Sequence, residues 1–231
     1  MSLTSRAYGE RGRRRAIKQG IDPERLPPGQ SPTAPRKWPV LTVGAAPAVA
    51  PEDWKLFVYG EVESETAFTL DELRPRGVEV VCDIHCVTRW SRFDMRWEGA
   101  RVRDLLQPKP SASHALIHSY GGYSTNLPLA ALLDDDVLVA WAADGEPLAW
   151  EHGGPVRLLV PKRYFWKSAK YLQAIELLDH DEPGFWEREG YHNEGDPWLE
   201  ERTNRDPFAF RALRRRARRQ STVRTAFPAI L

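Results

Sequence analysis

The sequence predicts an α+β fold, in which a mixed β-sheet domain carries short helices. A chain of 231 residues can form one sizeable domain but not two full ones. From Trp54 onward, short apolar runs rich in β-branched residues alternate with glycine and proline, as is typical of strands and turns. The helical patterns between these runs are too short for the regular crossovers of a doubly wound parallel sheet.

Five segments have the composition of strands. "WKLFVYG" alternates apolar and polar residues and ends at a glycine, whereas "VEVVCDIHC" has the β-branched content of a buried strand. The predicted strands are 54–60, 78–86, 114–123, 137–141 and 155–161. The periodicity of residues 170–178 fits a strand and a helix equally well, so both remain open.

Helices are predicted at three places. Thr69 precedes Glu72 by three residues, which is the capping-box pattern, and Pro75 would close this short helix. Residues 101–107 form a helical turn or two, and residues 127–135 form a helix with Pro128 near its start.

The two ends of the chain differ from its body. Residues 1–36 are predicted to be a basic, proline-rich arm, residues 37–180 the folded domain, and residues 181–231 a loop-rich extension with an arginine-rich end. Residues 1–37 hold nine Lys or Arg and three acids, and residues 211–231 hold seven Arg, which leaves 17 bases and 29 acids between them. An acidic body makes nucleic-acid binding by the core improbable, while the ends could touch RNA, an acidic partner or the body itself.

The sequence predicts a cytoplasmic location. No apolar stretch reaches the eighteen or so residues of a membrane span, and the basic N-terminus is not followed by an apolar signal region.

The two cysteines lie four residues apart in "VVCDIHCVTRW", and the residues alone leave several uses open. A disulfide is disfavoured in a reducing compartment, and zinc would need a second ligand pair that the sequence lacks. Burial as small apolar residues is the simplest alternative. A nucleophile formed by Cys86 and His85 is geometrically poor, because adjacent residues on a strand point to opposite faces.

Three ordered blocks resemble the sulfite-oxidase-like molybdopterin-dependent oxidoreductases. "CVTRWSRFDMRWEGARVRDLL" (86–106) is similar to the molybdenum-ligand segment, in which a short loop, an aromatic residue, a glycine and a "LL" helix follow a cysteine. "YSTNLPL" (123–129) and "DGEPLAWEHGGPVRLLVPKRYFWKSAKYL" (144–172) resemble two further blocks of that family. The resemblance covers about residues 54–178 and implies the family's fold and its single-pterin molybdopterin cofactor.

The resemblance implies that Cys86 is the molybdenum ligand, because a soft thiolate suits a metal already held by a dithiolene. Cys82 lies within the strand and is assigned to the core. Tyr123 matches an active-site tyrosine whose phenol could donate a hydrogen bond at the reacting centre.

The resemblance and the chemistry of the cofactor also indicate a set of binding residues. Basic groups and glycine backbone suit the phosphate of the pterin, and groups flanking the cysteine could tune the thiolate. For Lys162 the alternative is a solvated strand end. The predicted cofactor-binding residues are His85, Arg89, Ser119, His152, Gly153, Arg157, Lys162, Ser168, Ala169 and Lys170.

The leading hypothesis is an enzyme that transfers an oxygen atom to or from a small substrate, cycling Mo(VI) and Mo(IV) and exchanging electrons with a separate carrier. An S-oxide, an N-oxide or a small oxyanion is the expected substrate class. Sulfite does not follow from the resemblance, because this chain has Val-Thr-Arg-Trp (87–90) after the cysteine, where the true sulfite oxidases have Ala-Gly-Asn-Arg. The alternative is a non-catalytic protein of the same fold that binds pterin or an acidic partner.

Overall fold

Two β-sheets with few and short helices form the fold in a computed structural model, which describes residues 3–44 and 47–204. The strands are β1 (Ser31–Pro32), β2 (Lys55–Gly60), β3 (Thr66–Thr69), β4 (Gly77–His85), β5 (Trp90–Arg101), β6 (His114–Ser119), β7 (Ser124–Pro128), β8 (Leu138–Ala143), β9 (Glu146–Pro147), β10 (Arg157–Leu159) and β11 (Leu172–Leu178). The α-helices are α1 (Leu3–Lys18), α2 (Leu70–Leu73), α3 (Leu129–Leu132) and α4 (Phe185–Arg188). Short 3-10 turns lie at Pro23–Arg25, Arg74–Arg76, Val102–Asp104 and Trp150–His152.

The first sheet has the order β1-β5-β8-β10, with β4 paired to β5 and β9 paired to β8. β4 and β5 form an antiparallel hairpin in which His85 lies opposite Ser91. The short β1 runs parallel to the start of β5, where Ser31 is opposite Trp90. The N-terminal arm therefore adds a strand beside the hairpin loop that contains Cys86.

The second sheet has the order β3-β2-β11-β6-β7. β11 pairs in parallel with β2 and antiparallel with β6, so the sheet is mixed as predicted. The predicted α+β fold is confirmed, and residues 170–178, whose type the sequence left open, contain strand β11.

The largest core cluster lies between the sheets. It combines Leu56 of β2, Ile117 of β6 and Ile175 of β11 with Val139 of β8 and Leu158 of β10, all of them buried. Their burial holds the two sheets together through the hydrophobic effect. A second cluster, which includes Trp97 and Ile84, packs on the first sheet, and partly buried Cys82 contacts it as expected for a packing residue.

The capping box predicted at Thr69 is present. The Thr69 hydroxyl accepts a hydrogen bond from the backbone of Glu72, and the Glu72 carboxylate accepts one from the backbone of Thr69. The remaining helix predictions correspond to shorter elements, at α3 and at the turn Val102–Asp104.

Two elements differ from the sequence-based expectation. Residues 90–101, expected to begin with a loop, form the longest strand, because Met95 and Trp97 face the core while Asp94, Arg96 and Glu98 alternate outward. The arm begins with the helix α1 rather than with extended chain, and the prolines that favour extended conformation occur only after it.

Candidate active site

A cavity of about 480 Å³ lies beside Cys86. Its volume falls in the range of about 300 to 1,000 Å³ typical of cofactor sites. The walls come from residues 38–44 and Pro47, the Cys86 loop, the end of β6 and the loop after it, residues 152–171, and the C-terminal segment, which is defined as residues 181–204. The lining residues are Trp38, Pro39, Leu41, Thr42, Val43, Gly44, Pro47, Cys86, Val87, Thr88, Trp90, Ser119, Gly121, Tyr123, His152, Arg157, Phe165, Trp166, Ser168, Ala169, Lys170, Tyr171, Trp186 and Tyr191.

Cys86 occupies the loop of the β4–β5 hairpin. Its backbone N–H donates to Trp90 O at 2.8 Å, and its carbonyl accepts from Arg89 N at 2.9 Å, so four residues make the turn. Arg89 adopts a left-handed conformation with φ of 77° to complete it. The thiol forms no disulfide, and only 7 % of the residue is exposed. The Cys86 Sγ lies 3.2 Å from Thr88 Oγ1, which also lines the cavity.

Gln30 of the arm holds this loop from outside. Its side chain is buried, and Nε2 donates to Cys86 O at 3.0 Å. From the C-terminal segment, Arg202 donates to Val87 O at 2.7 Å and to Pro28 O at 3.2 Å. The loop is thus fixed by two segments that are distant from it in sequence.

Arg157 provides a buried positive charge at the cavity. Its guanidinium donates to His152 O at 2.7 Å and to Ser168 O at 2.6 Å, and it stacks on the Phe165 ring at 4.1 Å. None of the ion pairs among the described residues involves Arg157. Burial lowers the pKa of Arg157 to about 9. An anion in the cavity would relieve this desolvation penalty.

Lys170 is the second cation of the cavity. Its ammonium donates to Glu151 O at 2.6 Å and to Leu41 O at 2.8 Å. Burial, followed by the charge of Arg157, lowers the pKa of Lys170 to about 7. Carbonyls neutralise no charge, so Lys170 is also suited to binding an anionic group.

His152 is a stacking partner in the cavity wall. Its ring lies 3.8 Å from the Trp38 ring, at an interplanar angle of 8°. Burial lowers the pKa of His152 to about 4, and the nearby charge of Lys170 acts in the same direction. The imidazole is therefore neutral at pH 7, when it can donate one hydrogen bond and accept one.

Tyr123 lines the cavity, but its hydroxyl already donates to Trp166 O at 2.7 Å. Burial raises the pKa of Tyr123 well above its ordinary value, and the charge of Glu187 contributes. The phenol therefore stays protonated and fixes the position of Trp166. The expected donation at the reacting centre would require this hydrogen bond to break.

Eight predicted site residues come together at the cavity, namely Cys86, Ser119, Tyr123, His152, Arg157, Ser168, Ala169 and Lys170. Ser168 supports the wall, because its hydroxyl accepts from Val160 N at 2.9 Å. Ala169 does the same through its carbonyl, which accepts from Leu158 N at 2.8 Å.

Four predicted cofactor-binding residues lie outside the cavity lining. His85 is buried on the other face of the strand end, where Nδ1 is 2.8 Å from Ser91 Oγ. Arg89 turns outward, where its guanidinium donates to Gly29 O at 3.2 Å. Gly153, with φ of +103°, packs on the backbone of Lys170. These residues support the shape of the loops, and their direct contact with the cofactor stays a prediction.

Lys162 also lies outside the lining, which corrects its assignment to a phosphate clamp. It is exposed and pairs with Asp134 at 3.1 Å and with Asp136 at 3.8 Å. Its neighbour Lys167 points inward to a buried ion pair with Glu187 at 2.7 Å. The chain between them consists of turns and bends, which set the two side chains in opposite directions.

The sequence analysis missed the residues that close the cavity from both ends of the chain. Trp38 comes from the irregular segment before the first core strand, and Trp186 and Tyr191 come from the C-terminal segment. The only signal available in the sequence was the density of aromatic residues after position 179.

The lining fits a molybdopterin. The Ser119 hydroxyl and the Trp90 indole N–H are buried, and neither has a hydrogen-bond partner among the residues that the structure describes. Such groups need a partner, and a polar heterocycle could supply one. The Cys86 thiol matches the metal of the cofactor, and two cations without carboxylate partners in the described ion pairs match its phosphate. The two polar groups match its ring system.

Within the described residues, no group of three or more His, Cys, Asp or Glu could hold a metal ion by itself. In the same part of the chain, no helix is long and apolar enough to cross a membrane.

Comparison with known families agrees with this donor set. A profile of the oxidoreductase molybdopterin binding domain matches residues 43–186. The chain belongs to this family. The family resemblance and the cofactor predicted from the sequence are confirmed, and the protein is a molybdopterin-binding oxidoreductase of the sulfite-oxidase-like kind.

The chain is similar in sequence to proteins with several different names. The uncharacterized oxidoreductase YuiH of Bacillus subtilis is 42% identical over 193 residues, covering 80% of this chain and 95% of that protein. The catalytic subunit MsrP of a protein-methionine-sulfoxide reductase from Gluconobacter oxydans is 29% identical, covering 60% of this chain and 51% of that protein. The mitochondrial sulfite oxidase of Drosophila melanogaster is 27% identical, covering 63% and 30% respectively.

A solved structure supports the fold alone. The sulfane dehydrogenase SoxCD of Paracoccus pantotrophus superposes with a TM-score of 0.55 at 21% identity, covering 66% of this chain and 46% of that one. The chain thus spans most of YuiH but about half or less of the relatives whose names state a reaction.

Proposed function

We propose that the protein catalyses two-electron oxygen-atom transfer on a small substrate, with the Cys86 thiolate as the protein ligand of molybdenum. The observation that carries the proposal is the position of the Cys86 thiol, which forms no disulfide and lies in a loop fixed by Gln30 and Arg202 beside a cavity of cofactor size. A thiolate held in one position loses little freedom when it ligates a metal. Molybdenum in a pterin dithiolene supplies a two-electron redox centre that exchanges an oxygen atom with the substrate.

The residues of the chain would divide the remaining work. Arg157 and Lys170 supply positive charge for the phosphate, and their position in the 152–171 wall supports placing it there. Ser119 and Trp90 offer their unpartnered polar groups to the pterin. His152, neutral at pH 7, offers its ring edge while Trp38 fixes the ring plane.

The substrate side of the cavity favours a neutral oxide. The Cys86 loop contributes Val87 and Thr88 to the lining, and the C-terminal segment contributes Trp186 and Tyr191; none of these four side chains is charged at neutral pH. A small oxyanion would have to lose its hydration without gaining an ion pair there, whereas an S-oxide or N-oxide could place its apolar groups on the aromatic rings. We therefore place S-oxides and N-oxides ahead of sulfite and other oxyanions.

The test is Mo(V) electron paramagnetic resonance of the protein purified from a host that makes the cofactor. Molybdenum and pterin content are measured first, followed by anaerobic reduction and reoxidation with dimethyl sulfoxide, trimethylamine N-oxide or methionine sulfoxide. We expect a Mo(V) signal that an oxide discharges. Cys82→Ser should keep the signal and Cys86→Ser should lose it. A metal-loaded protein that shows no redox signal, or a signal unchanged in Cys86→Ser, would contradict the proposal.

A further inference from the structure

Helix α1 presents a face of cations without ionic partners. Arg11, Arg14, Arg15 and Lys18 are exposed, and none of them takes part in an ion pair among the described residues. Arg13 differs, because it pairs with Glu24 at 3.2 Å. Four like charges on one short helix repel each other, so an acidic partner would stabilise this face.

The opposite face of α1 is already used. Gly12 and Ala16 are buried, and a Cβ on Gly12 would lie 1.9 Å from Gln30 O. Gly9 likewise lies against the backbone of Gly29. Small residues therefore let the helix sit directly on the segment that leads into β1. The helix is fixed to the body by this face, and the cationic face remains outward.

The segment under α1 is the one that holds the candidate metal ligand. Gln30 packs against Gly12 and donates to Cys86 O at 3.0 Å. Arg89, in the same loop as Cys86, donates to Gly29 O and lies over the Tyr8 ring of α1 at 5.6 Å. The helix thus contacts the Cys86 loop directly at Arg89 and reaches Cys86 itself through Gln30.

We propose that the outer face of α1 is the docking site of an acidic one-electron carrier protein. This rests on the proposed function, because an oxygen-atom transfer uses two electrons and a single-electron carrier must deliver or remove them in two encounters. When the substrate oxide is reduced, two carrier molecules are each oxidised by one electron, and two protons leave with the oxygen as water. In the opposite direction water supplies the oxygen, two protons are released and two carrier molecules are each reduced.

A protein carrier suits this face better than a membrane or nucleic acid. A helix that binds in a membrane interface buries an apolar face of Trp, Phe or Leu, whereas the second face of α1 consists of small residues packed on the body. The stretch 38–210 contains 29 acids and 17 bases and would repel a long polyanion. A compact acidic protein needs only the local patch, and Ile17, 63% exposed among the cations, offers it an apolar contact.

The experiment compares two charge-reversal variants of the full-length holoenzyme. Arg14→Glu with Arg15→Glu reverses the α1 face. The matched control, Lys55→Glu with Lys109→Glu, makes the same change in net charge on exposed residues of the second sheet and the loop beside it. Both variants keep the arginine-rich residues 211–231. The probes are an acidic flavodoxin and, for contrast, a basic cytochrome c, with binding measured calorimetrically at low and high salt.

We expect the unmodified protein and the control variant to bind flavodoxin at low salt, and high salt to weaken this binding. The α1 variant should bind flavodoxin roughly tenfold more weakly or not at all. The single-electron exchange rate with flavodoxin should fall in parallel, while the Mo(V) signal after chemical reduction stays unchanged. Any of three results would overturn the docking site: an equal loss of flavodoxin affinity in both variants, no flavodoxin binding by the unmodified protein, or α1-dependent binding to phosphatidylserine vesicles in place of flavodoxin. Absence of the Mo(V) signal would instead refute the proposed function, and the binding data would still test the docking site on α1.

Discussion

The buried ion pair between Lys167 and Glu187 should hold the C-terminal wall of the cavity in place. The Lys167 side chain is 0% exposed and the Glu187 side chain 2% exposed, and their charged atoms are 2.7 Å apart. The same carboxylate oxygen accepts from Trp166 Nε1 at 2.8 Å and from Thr125 Oγ1 at 3.0 Å. Lys167 also donates to the backbone and side-chain oxygens of Asn126, both at 2.8 Å.

Lys167→Met leaves the Glu187 carboxylate buried without its cation, and Glu187→Gln leaves the Lys167 ammonium without its anion. Each single change should cost about 3 to 5 kcal/mol of unfolding free energy, because an uncompensated charge stays in an apolar surrounding. At about 2 to 4 °C per kcal/mol for a chain of this size, the melting temperature should fall by roughly 6 to 20 °C. The double variant should lose less than the sum of the singles, by about 2 kcal/mol or more.

The assay is urea unfolding of the apo-protein followed by tryptophan fluorescence, completed as a double-mutant cycle. Lys162→Met is the matched control, since this neighbouring lysine is exposed and pairs at the surface, so its removal should cost less than about 1 kcal/mol. The account of a stabilising buried ion pair would be refuted if the single variants were as stable as the control. It would also be refuted if the double variant lost as much unfolding free energy as the two single variants together.

Three further outcomes are expected. Folding lowers the pKa of Lys170 from 10.5 to about 7, so between these pH values the unfolded chain binds more protons and the free energy of unfolding should rise with pH. Lys170→Met should flatten this rise when urea unfolding is measured at several pH values. An unchanged slope would contradict the prediction. Gly153→Ala places a Cβ 2.9 Å from Lys170 Cβ at φ of +103° and should lower the unfolding free energy by roughly 1 to 3 kcal/mol. The control Gly145→Ala is also at positive φ but has open space around it, so it should lower the unfolding free energy by less. Gln30→Leu removes the donor to Cys86 O and should speed the reaction of the apo-protein thiol with a disulfide reagent severalfold; no change would show that the loop does not depend on Gln30.

Local chemistry made part of this fold predictable. The capping box at Thr69 and Glu72 depends on residues three apart. The β-branched residues of 78–86 predicted the strand β4, although only its last two residues, Ile84 and His85, are buried. The Cys86 loop was assigned through resemblance. Eight of the predicted site residues lie at one cavity, and all of them except Ser119 belong to the three matched blocks.

The remaining features depend on contacts between distant parts of the chain. The alternation in β5 is dominated by charged residues, so its inward-facing Met95 and Trp97 are recognisable only once β4 and β8 flank it. The stacking of Trp38 on His152 joins residues 114 positions apart, and no pattern within either segment indicates it. Lys162 and Lys167 are both lysines of one basic segment, and only their burial in the structure distinguishes them.

Molybdenum K-edge X-ray absorption fine structure of the holo-protein tests the central claim most directly, since it counts the sulfur atoms bound to the metal. Cys86→Ser and Cys82→Ser remove chemically identical thiols four residues apart in sequence. The account predicts that the number of sulfur ligands falls by one in Cys86→Ser and stays unchanged in Cys82→Ser. An unchanged sulfur count in metal-loaded Cys86→Ser would contradict it.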